Sequence, residues 1–124
     1  MSRTARCACG QLSIKCDGEP DLVSACHCLE CQRRTGSAFG VAAFFLATNV
    51  AIQGDTNCYE RSADSGFSVT HHFCPRCGST VFWLPARKPE HVAVALGAFA
   101  DPSFPAPSKS VYEQHRHAWV RLLL

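Results

Sequence analysis

Nine cysteines in 124 residues constrain this chain more than any other feature. Seven of them fall in three tight groups: "CACG" at 7–10, "CHCLEC" at 26–31 and "CPRCG" at 74–78. Nine is odd, so complete disulfide pairing within one chain is impossible. The opening "MSRTARCACG" lacks the apolar stretch of an export signal. The expectation is therefore a cytoplasmic protein, where thiols stay reduced. Metal thiolates become the leading reading of the cysteines.

Spacing divides the thiols between two ions. In a Cys-x2-Cys knuckle such as 74–78, the turn lets backbone amides point at the sulfurs, and Gly78 tolerates the tight geometry. Cys74 and Cys77 then supply two ligands of a tetrahedral zinc. Cys7 and Cys9 share one side of an extended segment, so they can chelate together. Pair plus knuckle makes a closed structural zinc site that ties the N-terminus to the middle of the chain.

Cys26, Cys28 and Cys31 remain. The first two share a face of an extended segment, and the last two share a face of a helical turn. All three converge on a second ion, and no fourth ligand is supplied locally. Three protein ligands with an open position mark a catalytic zinc, and the fourth ligand is then the substrate. A competing reading closes this site with a distant ligand: Cys58, His27 or His72.

Three thiolates leave such a zinc with a formal charge of about −1, a poorer source of hydroxide than a site of neutral histidines. It suits a soft ligand, such as an external thiol held as thiolate. Arg33 and Arg34 can offset the negative charge or grip carboxylates of an anionic thiol. Gln32, Arg33, Arg34, Thr35, Gly36 and Ser37 are the candidate substrate-binding residues. Cys16 lies on an apolar strand face and reads as core, while Cys58 reads as a buried or idle thiol. His71 and His72 alternate on a strand, so at most one faces a site. His91, His115 and His117 read as surface or packing residues.

The rest of the chain supplies the frame. Its length fits one domain spanning 1–124. A net charge of +2 gives no field to attract nucleic acid or an anionic membrane. The longest apolar run, Val41 to Ala47, is far too short to span a bilayer. Segments 11–17, 39–46, 50–55, 57–62, 67–73, 79–85 and 91–99 alternate or cluster β-formers between Gly, Asp, Asn and Pro. "LECQRRTG" allows one or two helical turns, stopped at Gly36. The fold class expected is mainly β with one short helix at the cysteine cluster.

The order "CACG", "CHCLECQRRTGSAFG", "HHFCPRCGSTVFW" and the turn "ADPSF" resembles the glutathione-dependent formaldehyde-activating enzyme family, which includes centromere protein V-like proteins. The likeness runs from about Cys7 to Trp119. It implies a β-tent of small antiparallel sheets around zinc. It also implies a structural zinc at Cys7, Cys9, Cys74 and Cys77 and a catalytic zinc at Cys26, Cys28 and Cys31. The activity it implies is condensation of glutathione with formaldehyde to S-(hydroxymethyl)glutathione. Near the C-terminus the chain departs from the family pattern: Ser110 replaces a His, His115 a Ser and Ala118 a Pro.

The expected function is a zinc-dependent carbon–sulfur lyase or thiol-adduct enzyme acting on a small thiol, glutathione by resemblance, and a small aldehyde. The alternative is a non-catalytic zinc module binding protein or nucleic acid. Zinc ribbons place their knuckles about 15 to 20 residues apart, whereas 42 residues lie between Cys31 and Cys74. No stripe of basic residues with interleaved aromatics appears. A thiol redox protein would need two free neighbouring cysteines, which metal binding would occupy.

Overall fold

The computed structural model describes residues 1–124. Its elements run β1 (Ser2–Arg6), β2 (Ser13–Asp17), β3 (Leu22–Cys26), α1 (Leu29–Thr35), β4 (Gly40–Leu46), β5 (Val50–Gln53) and β6 (Asn57–Ser62). They continue with β7 (Ser68–Phe73), β8 (Thr80–Pro85), β9 (His91–Ala95) and β10 (Lys109–Val111). The strands form a three-stranded sheet, β1-β2-β5, and a seven-stranded sheet, β10-β3-β4-β9-β8-β7-β6. The fold is mainly β with one short helix, as the alternation of β-formers implied.

The main core lies between the two sheets. Ala5, Leu12, Ile14 and Cys16 meet Val23, Ala43, Phe45, Phe82 and Val94 there. Cys16 is completely buried in this core, and burial pushes its thiol pKa up to about 12. It is a small hydrophobe here, not a ligand.

Three strands escape the alternation argument. β1 is polar in sequence and buries only Ala5, so it exists by pairing with β2. β3 carries a continuous run of three buried residues. β10 follows the Pro-rich 101–108 connector and lies parallel to β3, the one departure from the expected antiparallel pairing. Its residues reach from the C-terminal segment to the cysteine loop, which makes the pairing important for the site.

Register sets the second face of the large sheet. Phe44 pairs with Ala93, Ala93 with Trp83, Trp83 with His71, and His71 with Tyr59. These five therefore project from one face, as directly paired strand residues must. Ser24, Ala42 and Ala95 form the neighbouring row of that face. Ala42, Ala93 and Trp83 make a second, smaller buried cluster, separate from the main core.

Candidate metal centres and the adjoining cavity

Cys7, Cys9, Cys74 and Cys77 come together with their sulfurs all within 4.8 Å of one another. The Cys7–Cys9 and Cys9–Cys74 sulfurs are both 3.7 Å apart. A tetrahedral zinc with bonds of about 2.3 Å spaces its sulfurs about 3.8 Å apart, so this donor set fits the ion. The first pair differs from the extended geometry expected. Residues 8–9 form a turn, closed by the Gly10 amide donating to the Cys7 carbonyl at 3.1 Å. The β1–β2 connection has to reverse within a few residues, and this reversal gathers both thiols.

Donors surround these sulfurs as thiolates require. The Leu12 amide donates to Cys7 Sγ at 3.3 Å, the Arg76 amide to Cys74 Sγ at 3.3 Å and Gln11 Nε2 to Cys74 Sγ at 3.1 Å. Beside the Ser79 hydroxyl and nearby amides, the Cys77 thiol pKa falls to about 5. Gln11 also bonds Asp55 twice, through the Asp55 amide and carbonyl. One side chain thus fastens the cluster to the loop before β6.

Cys26, Cys28 and Cys31 form the second group, again within 4.8 Å of one another. β3 ends at Cys26, and Cys28 caps α1, its Sγ accepting from the Cys31 amide at 3.3 Å. Gly36 ends the helix in the left-handed region at φ 64°, as the sequence implied. The thiols of Cys26 and Cys31, with that amide, hold the Cys28 thiol well below its usual range. The same sharing pushes Cys26 well up. Three convergent sulfurs are a donor set suited to a soft cation.

None of the three distant candidates joins this group. His27 is completely buried, with Nε2 3.0 Å from Ser110 Oγ and 3.1 Å from Glu113 Oε2. His72 stacks on Phe82 and pairs with Thr56. Cys58 is exposed on β6. None of the nine cysteines forms a disulfide.

The three cysteines open on a cavity of about 180 Å³. Arg34, Arg61 and His71 line it and also line a neighbouring cleft of about 390 Å³. Arg34 lies over Trp83, its guanidinium carbon 4.3 Å from the ring centroid, and its Nε is buried without a hydrogen-bond partner. Gly40 makes room for it, since a Cβ there would come within 2.6 Å of Arg34 Nη2. The carboxylate beside Arg61 is Glu30, at a loose 4.0 Å. Burial, reinforced by these two guanidiniums, lowers the His71 pKa to about 4. Its imidazole is therefore neutral at neutral pH.

The other candidate substrate-binding residues do not line this cavity. Arg33 is exposed, pairs with Glu30 at 2.8 Å and borders the cleft. Gln32 Nε2 donates to the carbonyls of His27 and His115 at 3.0 and 3.1 Å, and its Oε1 lies 2.8 Å from His117 Nε2. Thr35 donates to the Cys31 carbonyl at 2.8 Å, and the Ser37 amide donates to Thr35 Oγ1. With Gly36 they form the turn that ends the helix. Sequence reasoning missed Arg61, Trp83 and Tyr112 as cavity residues. Tyr112 adopts φ 56°, a costly backbone for a bulky residue, as the chain turns out of β10 at the cavity.

No helix is long and apolar enough to cross a membrane. No curated protein matches the chain. A crystal structure of a Rhodobacter sphaeroides protein is similar in fold, with a TM-score of 0.57 and 22% identity over 77% of this chain and 85% of that one. The sequence model of the glutathione-dependent formaldehyde-activating enzyme family matches residues 2–115, and the chain belongs to that family.

Proposed function

We propose that the protein is a zinc-dependent carbon–sulfur lyase of the S-(hydroxymethyl)glutathione synthase type. It joins a small thiol to the carbonyl of a small aldehyde, or releases the aldehyde in reverse. One observation carries this reading: three convergent cysteines with no fourth protein ligand face a cavity edged by two weakly paired guanidiniums. Cys26, Cys28 and Cys31 would hold the catalytic zinc, and Cys7, Cys9, Cys74 and Cys77 the structural one. Zinc bound by three thiolates supplies a soft position that favours a sulfur ligand in its thiolate form.

The chain's own residues do the rest. Arg34 and Arg61 bind the carboxylate of an acidic thiol by charge-assisted hydrogen bonds. Glutathione, from the family's activity, is the default thiol. The stack on Trp83 and the space above Gly40 hold Arg34 in place, which limits the entropy lost on binding. Neutral His71 donates a ring N–H to the aldehyde oxygen as negative charge develops there. The carbon–sulfur bond forms, the carbonyl π pair moves to oxygen, and that oxygen takes up a proton equivalent to the one the thiol gave up. Gln32 is a positioning residue, clamping the cysteine loop to the C-terminal segment. Holding two small reactants together supplies much of the acceleration.

The test is adduct formation measured above its spontaneous rate. The zinc-loaded protein should accelerate it, and Cys28→Ala should fold yet lose the acceleration. A protein carrying both ions that never exceeds the spontaneous rate, with any small thiol, would overturn the assignment.

A further inference from the structure

Ligands that come from one short stretch of chain depend on their own loop to hold them together. The four-cysteine centre is braced by the two sheets that it joins, whereas Cys26, Cys28 and Cys31 have only the turn between β3 and α1. His27 stands in that turn and is completely buried. Its amide donates to the Val111 carbonyl at 3.1 Å. Its carbonyl accepts from Gln32 Nε2 at 3.0 Å. Its Nε2 lies 3.0 Å from Ser110 Oγ and 3.1 Å from Glu113 Oε2. Nδ1 is buried without a partner, so the polar anchoring of the ring comes from its Nε2 side alone.

The placement of the protons follows from the donors available. Ser110 Oγ and Glu113 Oε2 are 2.6 Å apart. A carboxylate only accepts, so the hydroxyl proton points to Glu113. The hydroxyl oxygen and the carboxylate then both present lone pairs to Nε2, which carries the ring proton. One buried N–H is thus shared between two acceptors of the C-terminal segment. That segment is joined to β3 by the β10 register, with Val111 opposite Cys26. Arg116 Nε lies 3.4 Å from the other Glu113 oxygen. Ser110 is one of the positions at which the chain departs from the family pattern, so the hydroxyl link uses a residue which that pattern does not supply.

We infer that Ser110 and Glu113 are positioning residues of the three-cysteine centre, which act through His27 to hold Cys26 and Cys28 together and so set how tightly the centre binds its metal. His27 is flanked by the two cysteines, and a ring that cannot turn limits the backbone rotations that would part their sulfurs. Residues that orient a metal's ligands are worth about 10- to 100-fold in metal affinity. The inference rests on the part of the reading above that makes Cys26, Cys28 and Cys31 a metal centre, and not on the reaction catalysed there.

Chelator competition on the intact chain, loaded with zinc and in parallel with cobalt, tests it. Two release steps are expected, the three-cysteine centre first. Ser110→Ala and Glu113→Ala should each weaken that step by about 10- to 100-fold, alter the cobalt d–d bands of that centre and leave the four-cysteine step unmoved. Ser110→Thr, which keeps the hydroxyl, should retain the parent's affinity. In a His27→Phe background no ring N–H needs an acceptor, so the same two substitutions should cost about two-fold or less, the scatter of independent sites. Should that background not fold, the contrast between Ser110→Ala and Ser110→Thr still decides. A three-cysteine step unmoved by Ser110→Ala and Glu113→Ala overturns the inference. Equal shifts of both steps, or undiminished losses in the His27→Phe background, overturn it too, and in each case the lyase reading stands. A parent chain whose three-cysteine group binds neither ion overturns both.

Discussion

The two cysteine groups use the same donor atom for different tasks. Cys7 and Cys9 sit on the β1–β2 turn, and Cys74 and Cys77 follow β7, so the first group fastens the small sheet to the large one. Cys26, Cys28 and Cys31 lie within six consecutive positions, so the second group fastens little beyond its own loop. The first group is completed by the chain and ringed by amide donors. The second is left one ligand short, beside a cavity and two guanidiniums. Sequence separation of the ligands, more than their number, distinguishes a cross-link from a reactive site.

The sharpest way to break the comparison is to remove one ligand from each group. Cys74→Ala should leave the chain unfolded or aggregated at room temperature, because structural zinc contributes folding free energy comparable to a domain's net stability. Cys28→Ala should melt close to the parent. Circular dichroism melts read both. Equal losses would abolish the division of labour.

A smaller effect marks the open side through pH. The unfolded chain takes up a proton at His71 below about pH 6.5, whereas the folded chain does so only below about 4. Stability is therefore unaffected by this group above pH 6.5 and falls as pH drops from 6.5 toward 4. The loss reaches up to about 3 kcal/mol, less what solvent at the cavity mouth screens. His71→Gln should flatten this part of the stability profile relative to the parent, measured by denaturant titration at each pH. An unchanged acid slope would remove His71 from the buried wall.

Smaller again are the anion contacts. Arg34→Ala should weaken glutathione about ten-fold or more, the value of one charge-assisted hydrogen bond, and leave uncharged mercaptoethanol nearly unaffected. Gly40→Ala should melt close to the parent, since the atom it crowds is the end of a flexible side chain. It should still weaken glutathione by less than ten-fold, by displacing Arg34 from Trp83. Calorimetric titration of both thiols reads these effects. Equal losses for both thiols would show that Arg34 shapes the pocket without gripping a carboxylate.

Much of this was legible in the sequence, and the exceptions have physical reasons. The Cys7/Cys9 pair, the Cys74/Cys77 knuckle, the Cys26/Cys28/Cys31 triplet, the helix stop at Gly36 and seven of the strands follow from local spacing, because chelation, capping and alternation are short-range. The turn at Cys7–Cys9 was misread as extended, because the need to reverse into β2 comes from a pairing that no local pattern encodes. β1 and β10 borrow their structure from neighbouring strands. Arg61 and Trp83 reach the site only through the registers of β6, β7 and β8, which bring a distant part of the chain onto the face that holds Cys26. The alternation of His71 and His72 implied that only one could face a site, and His71 is the one lining the cavity.

Cobalt substitution tests the contrast between a closed and an open centre most directly. Two ions per chain should bind, and a chelator should strip the three-cysteine centre first. Adding glutathione or mercaptoethanol should then increase the sulfur-to-cobalt charge-transfer absorption by about one thiolate's worth, with proton release near neutral pH. That increase should vanish in Cys28→Ala. A spectrum unchanged by glutathione, cysteine and mercaptoethanol alike would mean that both centres are closed, and would contradict the assignment of Cys26, Cys28 and Cys31 to a reactive site.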